Sequence, residues 1–117
     1  MKNKYGIPEK ELDKIKERDF VCAYCQQIML WDVSHDKNSA TIENLNHRQD
    51  WNSVESYVRR GLPVDEIIVI CCRSCNSSRG AKKIIDWFDS KYCLEKNICI
   101  DTVVPTVKNY ILKFEYD

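Results

Sequence analysis

The sequence is short of several things, and each shortage excludes something. Three glycines and three prolines in 117 residues leave no material for collagen-like, low-complexity or flexible-linker segments. No apolar run approaches the roughly 18 residues that a membrane span needs. The opening Met1-Lys2-Asn3-Lys4 leads into charge rather than an apolar signal core, so a soluble, cytoplasmic protein is expected. Net charge is also missing, because 18 Lys and Arg balance 18 Asp and Glu. The field of the whole molecule therefore does not hold a polyanion, and nucleic-acid binding requires a local basic patch. With 44% hydrophobic and 31% charged residues, the composition is that of one globular domain over residues 1–117.

Cysteine, in contrast, is abundant. Seven in so short a chain suit either a disulfide framework or a metal site, and an odd count with no signal segment favours metal. Cys22-Ala23-Tyr24-Cys25 and Cys72-Arg73-Ser74-Cys75 are two CxxC pairs. Each tight turn brings two sulfurs to tetrahedral separation, so Cys22, Cys25, Cys72 and Cys75 close a four-thiolate structural Zn²⁺ site. A site with every position filled supplies folding energy and no chemistry. Neither pair lies in the βαβ context of a redox CxxC. Cys71 has no partner three residues away and reads as core; Cys93 and Cys99 read as buried or incidental thiols.

Along the chain, Glu9 to Arg18 reads as a surface helix with Leu12 and Ile15 as its apolar stripe. Ile28–Val33 and Ala40–Ile42 predict a hairpin or two short strands around a polar turn. Trp51, Val54, Tyr57 and Val58 predict a short helix ending at Gly61. Ile67–Ile70 predicts a buried strand leading into the second cysteine pair. Beyond it, Asn76, Ser77 and Ser78 look like caps of one helix whose apolar face is Ile84, Phe88 and Tyr92. A final helix from about Thr102–Pro105 places Val107, Tyr110, Ile111 and Phe114 inward.

The order CxxC, a β-type run Ala40-Thr41-Ile42-Glu43-Asn44, an apolar strand, CxxC-Asn76 and a basic helix resembles the HNH endonuclease family over about residues 21–88, with residues 89–117 as a C-terminal helical extension. The resemblance implies an α+β fold: a small ββα-metal core braced by the four-cysteine zinc site, flanked by N- and C-terminal helices. It also implies metal-dependent hydrolysis of DNA phosphodiester bonds in a bacterial or phage-infected cell. Glu43 and Asn76 then match the ligands of a catalytic divalent cation, Mg²⁺ or Mn²⁺, whose chemistry is to polarise the phosphate. The family's general-base histidine falls at Asn44, and an amide orients water but does not take its proton. Loss of the base predicts a rate reduced by about 10²–10⁴. His47 is the substitute base if the chain turns after Leu45, since residues 44 and 47 of a regular strand face opposite ways. The family's middle Asn falls near Ile67.

Residues 73–83 carry Arg73, Arg79, Lys82 and Lys83 with no acid. Residues 79, 82 and 83 are spaced to share a helical face suited to phosphates, and Arg48 extends the patch. Trp31, Trp51 and Trp87 read as core rather than as base-stacking platforms. The alternative reading is a non-enzymatic, zinc-stabilised module that binds nucleic acid or protein.

Overall fold

The computed structural model describes residues 1–46 and 54–116. Its first helix, α1 (Glu9–Arg18), follows Pro8 and has Glu9 and Glu11 in the first turn and Lys16 and Arg18 in the last, complementing the helix dipole at both ends. Leu12 and Ile15 are its buried residues, as the apolar stripe predicts. The helix ends on Asp19, only 4% exposed, whose Oδ2 accepts the Ile70 N–H at 2.9 Å. Arg18 pairs with Asp19 at 2.8 Å and donates to the carbonyls of Ile68 and Asp65. One acid and one base therefore fasten α1 to the central strand.

Strands β1 (Ala40–Asn44) and β2 (Ile68–Cys72) pair antiparallel, with Glu43 opposite Val69 and Asn44 opposite Ile68. All five β2 positions are buried, which explains a β-branched run without alternation: both faces of the strand are covered. The strand expected at Ile28–Val33 does not form. That segment makes only isolated bridges, Val21 to Ile28 and Leu30 to Ser39, and Ile28 is 81% exposed. Of its apolar residues only Met29 is buried, while Ile28, Leu30, Trp31 and Val33 face outward, so one anchor holds the segment without organising a ladder.

Helix α2 (Val54–Arg59) buries Val54 and Tyr57 and ends near Gly61, whose φ of 66° suits glycine. Trp51, assigned to the same helix, lies outside the described residues. A 3₁₀ turn (Val64–Glu66) leads into β2.

The single helix expected after the second cysteine pair is three: α3 (Arg73–Arg79), α4 (Ile84–Trp87) and α5 (Lys91–Lys96). Two local events break it. Gly80, at φ 55° and ψ −129°, turns the chain out of the helix. The Glu115 carboxylate then accepts the N–H groups of Ile84 and Ile85 at 3.0 and 2.9 Å, starting a new helix from a distant residue. Nor do Asn76 to Ser78 cap α3. Cys72 does, its sulfur accepting the Cys75 N–H, while Ser90 caps α5. Helix α6 (Pro105–Tyr110) begins on proline as expected and runs on as π-helix over Ile111–Glu115. Val107, Tyr110 and Ile111 are buried, but Phe114 stays 37% exposed with its ring 4.9 Å from Tyr110.

The architecture is thus a small α+β fold in which a two-stranded sheet is enclosed by short helices. Among the described residues, no helix is long and apolar enough to cross a membrane.

Candidate metal centre and the buried acid beside it

The two CxxC turns converge. The sulfurs of Cys22, Cys25, Cys72 and Cys75 all lie within 4.8 Å of one another, and Cys25 Sγ is 3.9 Å from Cys72 Sγ. A tetrahedron with Zn–S bonds of about 2.3 Å has edges of about 3.8 Å, so the residues fit a metal ion such as zinc. The surroundings fit too, because donors point at sulfur: the Cys72 N–H at Cys22 Sγ (3.3 Å) and the Cys75 N–H at Cys72 Sγ (3.4 Å). Such bonds favour thiolates. Left to protons alone, the sulfurs compete. Contact with Cys25 pulls the Cys22 thiol far below its ordinary value, while Cys22 pushes Cys72 and Cys75 far above theirs. One divalent cation would resolve that competition by taking all four as thiolates.

A further member of this centre escaped the sequence. Tyr92, read as the apolar face of a helix, donates its hydroxyl toward Cys75 Sγ at 3.2 Å and Ser74 Oγ at 2.9 Å. Its ring stacks on Trp87, with centroids 6.0 Å apart. The only available signal was an aromatic residue with a polar tip following a cysteine ligand by seventeen positions. Cys71 and Cys93 are buried and Cys99 is half-buried.

Helix α3 follows β2 without a linker and crosses β1, placing two of its residues on that strand. Asn76 Nδ2 donates to Thr41 Oγ1 at 3.0 Å and reaches the Ile42 carbonyl at 3.4 Å. Among the described residues no donor is recorded to its Oδ1. One turn on, Arg79 Nη1 lies 3.3 Å from Glu43 Oε2. Tyr24 donates to the same oxygen at 2.8 Å. Glu43 is 5% exposed, and Tyr24 and Arg79 are 1% exposed. Burial raises the Glu43 carboxyl above its ordinary value even against the pull of Arg79 and the Tyr24 hydroxyl. Burial also raises the Tyr24 phenol, and the Glu43 charge adds to that rise.

This geometry corrects the basic-patch reading of Arg79. Its guanidinium is spent inside the protein, on Glu43, the carbonyls of Asn44 and Leu45 at 2.9 Å each, and the Lys82 carbonyl at 2.6 Å. Nor do residues 79, 82 and 83 share a helical face, because the helix ends at Gly80. Lys82 and Lys83 are exposed beyond it. Arg73 is exposed and donates to the His35 carbonyl at 2.7 Å. Asn44 is half-buried, and its Oδ1 accepts the Asn46 N–H at 3.0 Å. His47 and Arg48 lie outside the described residues. Trp87 is fully buried, whereas Trp31 is 38% exposed, so only the first follows the core reading.

The donor set fits an oxygen-ligated Mg²⁺ or Mn²⁺ only in part: Asn76 offers an open oxygen, while Glu43 already has a counter-cation in Arg79. No family model matches the chain, and neither curated proteins nor solved structures give a match.

Proposed function

We propose that the chain is a DNA-acting domain of the HNH endonuclease type, stabilised by structural zinc, whose phosphodiester hydrolysis is strongly attenuated. One observation carries this reading. A strand ending in Glu43-Asn44 pairs antiparallel with a strand that runs through a cysteine ligand directly into a helix, and the Asn76 amide of that helix seats on the first strand. Two strands and a helix that bring Asn76 onto the strand of Glu43, beside four convergent cysteines, support the reading that the sequence resemblance suggests.

Two features support attenuation. Asn44 stands where a base is required and has no proton-accepting nitrogen. Arg79 neutralises the carboxylate next to it, which weakens any claim of that oxygen on a divalent cation. Exposed Arg73, Lys82 and Lys83 around α3 supply the cations for backbone contacts.

Plasmid nicking in Mg²⁺ or Mn²⁺ tests the reading on the wild type, Asn44→His, and Asn44→His combined with Asn76→Ala. Asn76 suits the control because Thr41 keeps its bond to the Cys71 carbonyl without it. Nicking that emerges in the single variant, by about 10²–10⁴-fold over wild type, and disappears in the double variant supports the assignment. A second reading, a zinc-stabilised nucleic-acid-binding module without catalysis, is favoured by the Glu43–Arg79 pair. It gains if DNA binds but no variant cuts.

A further inference from the structure

A cleft of about 480 Å³ opens beside Asn76, within the range of about 300–1,000 Å³ that holds small organic ligands. Its walls come from three parts of the chain: Lys2 and Lys4 at one end, Trp31 and Asp32 on the loop before β1, and Thr41 and Asn76 where α3 crosses the strand. Each wall brings a different chemistry. Lys2 and Lys4 are exposed, and among the described residues neither has a recorded carboxylate partner within salt-bridge distance. Lys4 Nζ lies 5.2 Å from the centre of the Tyr5 ring, a cation–π contact that helps hold the ammonium in place. Trp31 leaves 38% of its surface exposed, unlike the buried Trp87. Asn76 adds an amide oxygen with no recorded donor.

We propose that this cleft binds a single unpaired nucleotide, with its base against Trp31, its phosphate at Lys2 and Lys4, and a hydrogen-bonding edge toward Asn76. The combination selects the ligand. Two lysines against the one Asp32 carboxylate on the walls call for an anion, a half-exposed indole calls for a flat apolar face, and an amide acceptor calls for an N–H or O–H donor. A nucleotide carries all three within one small molecule, and stacking on an aromatic side chain is available only to a base outside a duplex. The inference rests on the nucleic-acid reading and narrows it: the domain would prefer DNA with a base already out of the stack.

The test measures fluorescence anisotropy at low salt with a labelled plain duplex and the same duplex carrying one unpaired nucleotide. The zinc-loaded full chain is compared with Trp31→Ala, Trp31→Phe, Lys2→Gln combined with Lys4→Gln, and Phe20→Ala. Phe20 is a 70% exposed aromatic outside the cleft and serves as the control. The wild type is expected to bind the bulged duplex about tenfold more tightly than the plain one. That ratio should fall to within about twofold in Trp31→Ala, survive in part in Trp31→Phe, fall in the double lysine variant and persist in Phe20→Ala. Adenosine monophosphate distinguishes the sources of the ligand: abolishing the bulge preference while the plain duplex stays bound identifies the cleft as a site for the free nucleotide as well. If it does not compete, the nucleotide is held only as part of a strand. Equal affinity for the two duplexes, or a preference that survives Trp31→Ala, overturns the cleft assignment and leaves the nucleic-acid reading standing. Failure to bind either duplex removes both.

Discussion

Two buried clusters flank α3, and they solve the same problem differently. At its N-terminal end, four convergent cysteines fit a metal ion, and that cation would come from solution. At its C-terminal end, Glu43 is neutralised by Arg79, a cation the chain supplies itself. Stability at the first cluster would therefore follow metal concentration, through the linkage between binding and folding, while the second carries its own counter-cation within the fold. The helix between them thus lies between a cluster that would take its cation from outside and one that holds its cation already.

Metal removal should break this comparison most severely. Structural zinc in small domains contributes about 10–16 kcal/mol of apparent binding free energy, as much as the whole stability of roughly 5–15 kcal/mol that domains have. A strong chelator is expected to abolish the cooperative thermal transition, as followed by circular dichroism, and added Zn²⁺ should restore it. Retention of the full transition in metal-free protein would show that the cysteines are ordinary core. Next in size is Arg79→Met, which strands the Glu43 carboxylate in the interior. It should cost about 3–5 kcal/mol in urea unfolding of the zinc-loaded protein. Pairing it with Glu43→Leu should recover much of the loss, because the uncompensated charge is then gone.

Tyr92→Phe sharpens the metal side alone. Removing the hydroxyl beside Cys75 should weaken zinc affinity by about 10–100-fold in a chelator competition, with the stacking on Trp87 kept. On the other edge of the sheet, Asp19→Ala should cost about 1–3 kcal/mol, since the buried Ile70 N–H loses its acceptor. The smallest effect is a pH dependence of opposite sign in the two clusters. Between its raised folded value and 4.5, its ordinary value, Glu43 is protonated in the folded chain and ionised in the unfolded one. Its contribution to stability therefore falls as pH rises through that window. Thiolate ligands behave in reverse and release metal as pH drops. Unfolding of the zinc-loaded wild type and Glu43→Gln across this range, taken as a difference, isolates the carboxyl, and a difference that grows in favour of the wild type with rising pH would contradict the assignment.

What could be read from the sequence was local. The α1 stripe of Leu12 and Ile15, the β-branched run of β2 and the two CxxC pairs each declare themselves within a few residues. The errors arose where a distant group decided the outcome. Arg79 looked like a surface cation because its carboxylate partner is 36 positions away. The recurrence of Ile84, Phe88 and Tyr92 looked like one helix because neither the φ of Gly80 nor the Glu115 carboxylate on Ile84 and Ile85 is visible in periodicity. Asp19 gave no signal at all in the sequence, because the Ile70 N–H it accepts lies 51 positions on. At the candidate site, the order of the sequence anticipated that Glu43 and Asn44 lie on a strand and that Asn76 lies on the helix after the second cysteine pair. The state of Glu43 was not, because burial and pairing are tertiary properties.

Cys72 has three duties at once: it ends β2, caps α3 and belongs to the metal cluster. During synthesis the first cysteine pair leaves the ribosome long before it has partners, since Cys25 and Cys72 are separated by 47 positions. Closing a loop of that length carries an entropic cost of about 3 kcal/mol before any contact offsets it. Metal capture would then meet strand termination and helix initiation at one residue. The nascent chain would accordingly depend on the local zinc supply at a definite moment, after Cys75 emerges, and a shortage then would leave the sheet without its closing helix.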